Sequence, residues 1–305
     1  ELGRNLLAQA RAPDAAGAVE RALAALEKAH GAEALEALPA LALLAQIHQA
    51  RDDWAAAEVL LLRAVRIREA RQGPEAVELA TELTGLGKFY QQGDRWMVAE
   101  PQFERALGIL QKNRGPSHPD LLPVLDALAI TCRELKRSLP AEAALRRALA
   151  IRERVHGLSH NEVASTLDSL ASLLYQERRY EEAEKLYGRS LAIWTGLLGP
   201  EHVLLAGSLD NVTAALAAQL KYGAAEEKSR QALVIREISI VRGIYNLAQI
   251  LDAQGKPAEA EALYRAWEKS LARLRPDSPL AAAVGEHRAA VRRRAGPFRK
   301  KPTKR

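Results

Sequence analysis

Three histidines, His118, His160 and His202, recur at intervals of 42 residues, and imidazole is among the commonest metal ligands. A shared metal would need all three ring nitrogens within about 2 Å of one centre. Equivalent points in successive packed helices lie at least about 8 to 10 Å apart. The spacing therefore predicts three separate loop-stabilising imidazoles, each bonding backbone or the next repeat, and no metal site. The single cysteine, Cys132, has no partner for an internal disulfide and falls in a helical apolar pattern, where a thiol behaves as a small buried hydrophobe. Catalytic signatures are missing: the chain has no Gly-x-Ser-x-Gly elbow, His-Glu-x-x-His pair, Walker loop or paired cysteines. Gly85-Leu86-Gly87-Lys88 has no strand before it and reads as packing. Glu181, Glu182 and Glu184 lie on the polar side of an amphipathic helix, a solvated face. The chain reads as a non-enzyme that uses no cofactor and no small-molecule substrate.

The elements that carry these residues follow a fixed period. Gly31, Gly73, Gly115, Gly157 and Gly199 are each 42 residues apart, as are Ala57, Ala99, Ala141, Ala183 and Ala225. The dipeptides Arg63-Ala64, Arg105-Ala106 and Arg147-Ala148 keep the same step, and Arg21-Ala22 extends it one unit back. Within a unit, apolar residues recur at helical spacing in two blocks, so each unit is a helical hairpin. In one copy Leu167, Leu170 and Leu174 form the first stripe and Tyr180, Ala183, Tyr187 and Leu191 the second, with Glu177-Arg178-Arg179 as the turn. Small residues at Gly87, Ala129 and Ala171 stand in register and let the two helices approach.

This pattern resembles the tetratricopeptide repeat. The 42-residue length, the loop Gly115-Pro116-Ser117-His118-Pro119-Asp120, and the stretch from Tyr180 to Tyr187 followed by Leu191-Ala192-Ile193 are similar to the kinesin light chain subtype. The resemblance covers residues 14 to 275. It implies an all-α fold, a right-handed α-α superhelical solenoid of hairpins, with units near 1–33, 34–75, 76–119, 120–162, 163–204, 205–238 and 239–275. One departure is expected at the last boundary: Ala260 follows Ala225 by only 35 residues, so the Gly-x-x-His loop is lost between Arg236 and Val241. Glu1 to Ala12 reads as a short helical stretch of an incomplete first unit. A capping helix is expected over 276–294, with Ser278 as its cap, Pro279 in its first turn, and Leu280, Val284, His287 and Val291 on one face.

In this family the first helix of each hairpin lines a concave groove that accepts extended peptides or partner helices. Carried over, the resemblance implies a groove formed by Thr84, Lys88, Gln91, Asp126, Arg133, Asp168, Ser172, Tyr175, Gln176, Asp210, Asn211 and Asn246. Asp126, Asp168 and Asp210 recur at 42 residues. Two readings of them stand: charges favourable near a helix N-terminus, or an acidic column that selects Lys or Arg on a ligand. The asparagine pair typical of the kinesin light chain subtype is replaced by Asp168-Ser169 and partly kept in Asp210-Asn211.

Composition agrees with a soluble helical chain, 48% hydrophobic and only 5% aromatic. The sequence contains no run of eighteen or more apolar residues, the length a helix needs to span a bilayer. The net charge of +6 belongs to the end: Arg292, Arg293, Arg294, Arg299, Lys300, Lys301, Lys304 and Arg305 account for eight cations, leaving about −2 for residues 1 to 291. Residues 295–305 read as a basic disordered tail that could fold back on the acidic column. With only Phe298 for stacking, the tail makes nucleic acid a weak alternative partner. The expected function is a protein–protein interaction scaffold or adaptor holding a protein or peptide ligand, or the interaction module of a larger regulatory or effector protein. Cytoplasmic location is favoured; because Glu1 is not a methionine, export remains the second expectation.

Overall fold

A computed structural model describes residues 12–271 and 279–295, with side chains from residue 16 onward. The expected stretch Glu1–Ala12 up to its last residue, the Ser278 cap, and the cations Arg299 to Arg305 lie outside the described residues. Among the described residues the fold is all-α, with fourteen helices and no strand. They belong to two compact units, residues 1–173 and 174–305.

The first unit contains α1 (Ala12–His30), α2 (Leu38–Ala50), α3 (Trp54–Gln72), α4 (Leu79–Gln92), α5 (Trp96–Arg114), α6 (Leu122–Glu134), α7 (Ser138–His156) and most of α8 (Asn161–Gln176). Consecutive helices pack on one another from α1 through α7. Each second helix stops at the periodic glycine. Gly115, for example, adopts φ 91°, a left-handed conformation that only glycine takes without steric cost, and its N–H bonds the Gln111 carbonyl at 2.9 Å. The turns inside the hairpins of the 42-residue series use another left-handed residue, at Asp52, Asp94, Lys136, Arg178 and Leu220. These positions are also 42 residues apart, and none is glycine.

The core is built from the periodic apolar stripes: Leu83 and Leu86 of α4, Phe103 of α5, Leu121 just before α6 and Leu125 within it are all buried together. Ala57, Ala99, Ala141 and Ala183 have no exposed surface. Cys132 is buried as well, its Sγ 3.6 Å from Glu100 Oε1, and burial first, then the Glu100 charge, pushes its pKa up to about 12. Both effects oppose formation of the thiolate, the reactive form of the side chain.

A ladder of ion pairs joins successive hairpins. Arg95, at the N-cap of α5, reaches Glu58 of α3 at 2.6 Å, and Arg137, at the N-cap of α7, reaches Glu100 of α5 at 2.5 Å. Glu58 is held below its ordinary pKa, first by its hydrogen bond with Arg95. In the second unit Lys221 repeats the pairing with Glu184 at 2.9 Å.

The second unit holds α9 (Tyr180–Leu198), α10 (Leu204–Ala218), α11 (Tyr222–Ala253), α12 (Pro257–Ala266), the short α13 (Glu268–Leu271) and α14 (Pro279–Ala295). The expected boundary between residues 238 and 239 falls inside α11. With the glycine loop lost, Glu237-Ile238-Ser239-Ile240 contains no glycine or proline to stop a helix, so the second helix of one hairpin continues straight into the first helix of the next. Val284 and Val291 of α14 are buried with Val241, Ile244 and Tyr264. His287 bonds Tyr264 Oη at 2.8 Å and Asp252 Oδ2 at 3.3 Å.

Arg292 and Arg294, counted above among the eight cations near the end of the sequence, are structural. Arg292 lies 2.9 Å from Glu261, a carboxylate only 2% exposed, and Arg294 lies 2.6 Å from Asp252. Their charges pin the last helix, because a buried carboxylate without a cation would be costly.

Candidate functional site

In the first unit, α4, α6 and α8 present two adjoining depressions of about 750 and 240 Å³. Both include Asp126, Ile130, Arg152 and Glu162. Ile130 follows Asp126 by one helical turn of α6 and stays 43% exposed, an apolar spot with polar surroundings. Arg152 comes from the last turns of α7 and is itself half-buried. Its guanidinium takes both oxygens of Asp126, at 2.9 and 2.5 Å, and also donates to Thr166 Oγ1 at 2.9 Å and to Glu162 at 3.3 Å. The hydrogen bonds it donates to Asp126 are the main reason its pKa rises above the usual arginine value.

This pairing changes the reading of the acidic residues. Asp126 is neutralised by Arg152, and in the second unit Asp210 is paired in the same way by Arg236, again 26 residues on. Neither is an open carboxylate waiting for a ligand cation. The helix-dipole reading is also weak for Asp168 and Asp210, which lie well past the first turns of α8 and α10. Asp168 stands in a register where the residue 26 on is Trp194 instead of arginine.

Of the other expected groove residues in the first unit, Lys88, Gln91 and Arg133 line the depressions. Gln91 is already engaged: its Nε2 donates to the Ala127 carbonyl at 2.9 Å and to Thr131 Oγ1 at 2.8 Å, so it joins α4 to α6. Thr84 donates to the Ala80 carbonyl of its own helix, and Ser172 is half-buried outside both depressions. In the second unit, Tyr175 meets Tyr180 edge to face with ring centroids 5.2 Å apart, while Gln176, Asn211 and Asn246 are exposed. A separate cavity of about 1150 Å³ in that unit is lined by Leu191, Leu205, Leu209, Val234 and Ile238 and by none of these residues.

Arg152, Ile130 and the hydroxyl face of Ser165, Thr166 and Ser169 were not anticipated. Arg152 did leave a signal, since Arg68, Arg152 and Arg236 are spaced by multiples of 42.

The loop imidazoles each accept a hydrogen bond two residues on: His118 Nδ1 from the Asp120 N–H at 3.2 Å, His160 from Glu162 at 3.3 Å, and His202 from Leu204 at 3.3 Å. His156, which lies outside the 42-residue histidine series, stacks on His160 at 4.3 Å, and both come with Glu162 into a group whose ligand atoms lie within 4.8 Å. A cation there would compete with the Arg152 guanidinium for Glu162.

The tetratricopeptide repeat model matches residues 78–154 and 162–238, and a second model of the same description matches residues 40–75. The chain belongs to the tetratricopeptide repeat family. No curated protein matches it significantly. Among solved structures it is similar to BtubC (BKLC) from P. vanneervenii, at 24% identity and a TM-score of 0.59 over 74% of this chain and 89% of that one. A kinesin light chain candidate of Podosopora anserina with nearly identical TPR-like repeats gives 21% identity and a TM-score of 0.59, covering 68% and 98%. The apo form of RapI gives 14% identity and a TM-score of 0.56, covering 96% and 95%. These likenesses place the fold among helical repeat proteins, kinesin light chain-like ones included. Repeats of this family indicate a protein–protein interaction scaffold and are generally not catalytic. Among the described residues no helix is long and apolar enough to cross a membrane.

Proposed function

We propose that this chain is a non-catalytic scaffold that holds an extended segment of another protein across α4, α6 and α8. The observation that carries the reading is the pair of adjoining depressions meeting at Ile130 and Arg152. An extended chain alternates its side chains, so one apolar residue can rest on Ile130 while its neighbours meet polar groups on either side. Lys88 and Arg133 place exposed cationic heads at the rim. Because Asp126 is satisfied internally, the groove favours a ligand bearing an apolar anchor flanked by a carboxylate, in place of the basic ligand that an open acidic column would select. Nucleic acid is a poorer partner still, since Arg292 and Arg294 are occupied within the fold.

The test is selection from a displayed random peptide library, followed by calorimetry on the selected peptides. Ile130→Glu should weaken binding by about tenfold or more, the loss of one well-buried anchor, with the helical spectrum unchanged. Selected peptides that bind Ile130→Glu and Arg133→Glu as tightly as the parent would refute the groove.

A further inference from the structure

The fused helix α11 leaves bare two faces that are covered elsewhere in the molecule. Its first half is the second helix of a hairpin. There Leu233 stands in the register of Leu107, three repeats back, yet Leu107 is 8% exposed and Leu233 55%. Its second half is a first helix. There Ile240, Leu247 and Ile250 stand 77 residues after Val163, Leu170 and Leu173, which are 0%, 0% and 3% exposed. The α11 residues are 46%, 46% and 54% exposed. In the first unit the glycine loop folds a second helix against the next first helix, as α5 lies on α6. In α11 the two halves are collinear, so faces that suit each other run along one edge: Leu233, Ile240 and Leu247 at heptad spacing, with Ile250 three residues further on.

The ion-pair ladder breaks at the same place. Glu226 continues the series of Glu58, Glu100 and Glu184, and each of those meets a cation 37 residues later at the N-cap of a second helix. Allowing for the seven residues lost from this repeat, the matching cation is Lys256, which is indeed the N-cap of α12. Glu226 and Lys256 cannot meet in one chain, because nearly the whole of α11 separates them, about 40 Å of rigid helix. Glu226 pairs instead with Arg230 of its own helix, and among the described residues Lys256 reaches Glu259 alone, at 4.0 Å.

We propose that α11 is the open hinge of a reciprocal exchange between two copies of this chain. The two α11 helices lie antiparallel, the second half of each covering the first half of the other. Each copy then supplies the Lys256 that completes the other's ladder at Glu226. The contact is isologous and uses the hairpin-on-hairpin interface already present between α5 and α6, rebuilt twice about a two-fold axis. Both the apolar edge and the charges are complementary in the antiparallel sense, since in the first unit the ladder joins the start of a second helix to the end of the next first helix.

Light scattering and sedimentation of the full chain at tens of micromolar should give a dimer. Oxidising a mixture of the single variants Glu226→Cys and Lys256→Cys should produce a reductant-sensitive disulfide between one copy of each. Glu226→Lys should weaken dimerisation by about tenfold and Lys256→Glu in the same chain should restore it, as expected for a desolvated interfacial pair. Inserting a seven-residue Gly-x-x-His loop after Arg236 should close the hairpin and give a monomer of unchanged helicity. A parent chain that stays monomeric, or a dimer unaffected by the inserted loop, would overturn the proposal. So would an intramolecular disulfide in a chain carrying both Glu226→Cys and Lys256→Cys, which would mean that α11 bends and each copy completes itself.

Discussion

A methyl group added to Gly87 of α4 would lie 2.6 Å from Cε1 and Cζ of the Phe103 ring on α5. Phe103 has no exposed surface, so its ring has no room to swing away. Gly87→Ala should therefore destabilise the first unit by about 1 to 3 kcal/mol, the usual cost of overpacking. Phe103→Leu in the same chain should recover part of that loss. Urea denaturation of the two single variants and the double variant measures the coupling, and additive effects would contradict the contact.

Leu220 sits in the turn before α11 at φ 63°, where a side chain with Cβ is strained, and it is largely exposed. Leu220→Gly should raise stability by about 0.5 to 1 kcal/mol, the relief of left-handed strain less the entropy that glycine adds to the unfolded chain. A rise in the urea midpoint at constant slope is the expected outcome.

The carboxylate of Glu261 has a net pKa below its ordinary value. Burial alone would raise it, but hydrogen bonds from Arg292 and Arg265 and the nearby Arg288 charge outweigh that effect. A depressed folded pKa means that this group stabilises the fold above the unfolded carboxylate value of about 4.3. The contribution is lost as pH falls through the lower, folded value. Acid should thus loosen α14 from α12, and Glu261→Gln should flatten the decline of stability below that pH. A melting profile with the same acid slope in both proteins would count against the assignment.

Arg152→Ala removes the partner of Asp126 and leaves that half-buried carboxylate without its guanidinium. The expected cost is about 1 to 3 kcal/mol, and Asp126→Asn in the Arg152→Ala background should soften it. Arg236→Ala at its exposed equivalent should cost less, about 0 to 1 kcal/mol.

Cys132, with its pKa pushed up to about 12, should resist alkylation at mildly alkaline pH in the folded chain. It should react at once in denaturant. Mass spectrometry of the alkylated protein distinguishes the two.

The hairpins were legible because glycine, alanine and leucine at a 42-residue period report backbone and packing needs directly. The same period exposed the loop histidines, whose capping bonds need only local geometry. The groove was less legible because it depends on pairing across helices. Asp126 and Asp210 read as a column until Arg152 and Arg236, each 26 residues on, were seen to occupy them. Gln91 looked like a ligand contact, yet its amide is taken by Ala127 and Thr131 of the next helix. At α11 the seven missing residues announced a lost loop, but only the continuous helix reveals which faces the loss lays bare. Likewise Arg292 and Arg294 looked like part of a charged end, and nothing local marks Glu261 and Asp252 as their buried partners.

The Arg95–Glu58 and Arg137–Glu100 pairs bind each hairpin only to its predecessor, and this has a mechanical consequence. A chain stretched by its ends should come apart one hairpin at a time, each rupture freeing a period of 42 residues, about 150 Å of contour at full extension. Load would travel through α11 without such a weak point between its halves, because no loop and no ladder pair divides it. Traced by force spectroscopy, the regular saw-tooth of this molecule should therefore carry one rung of a different length, and its position along the chain would mark where the repeat was shortened.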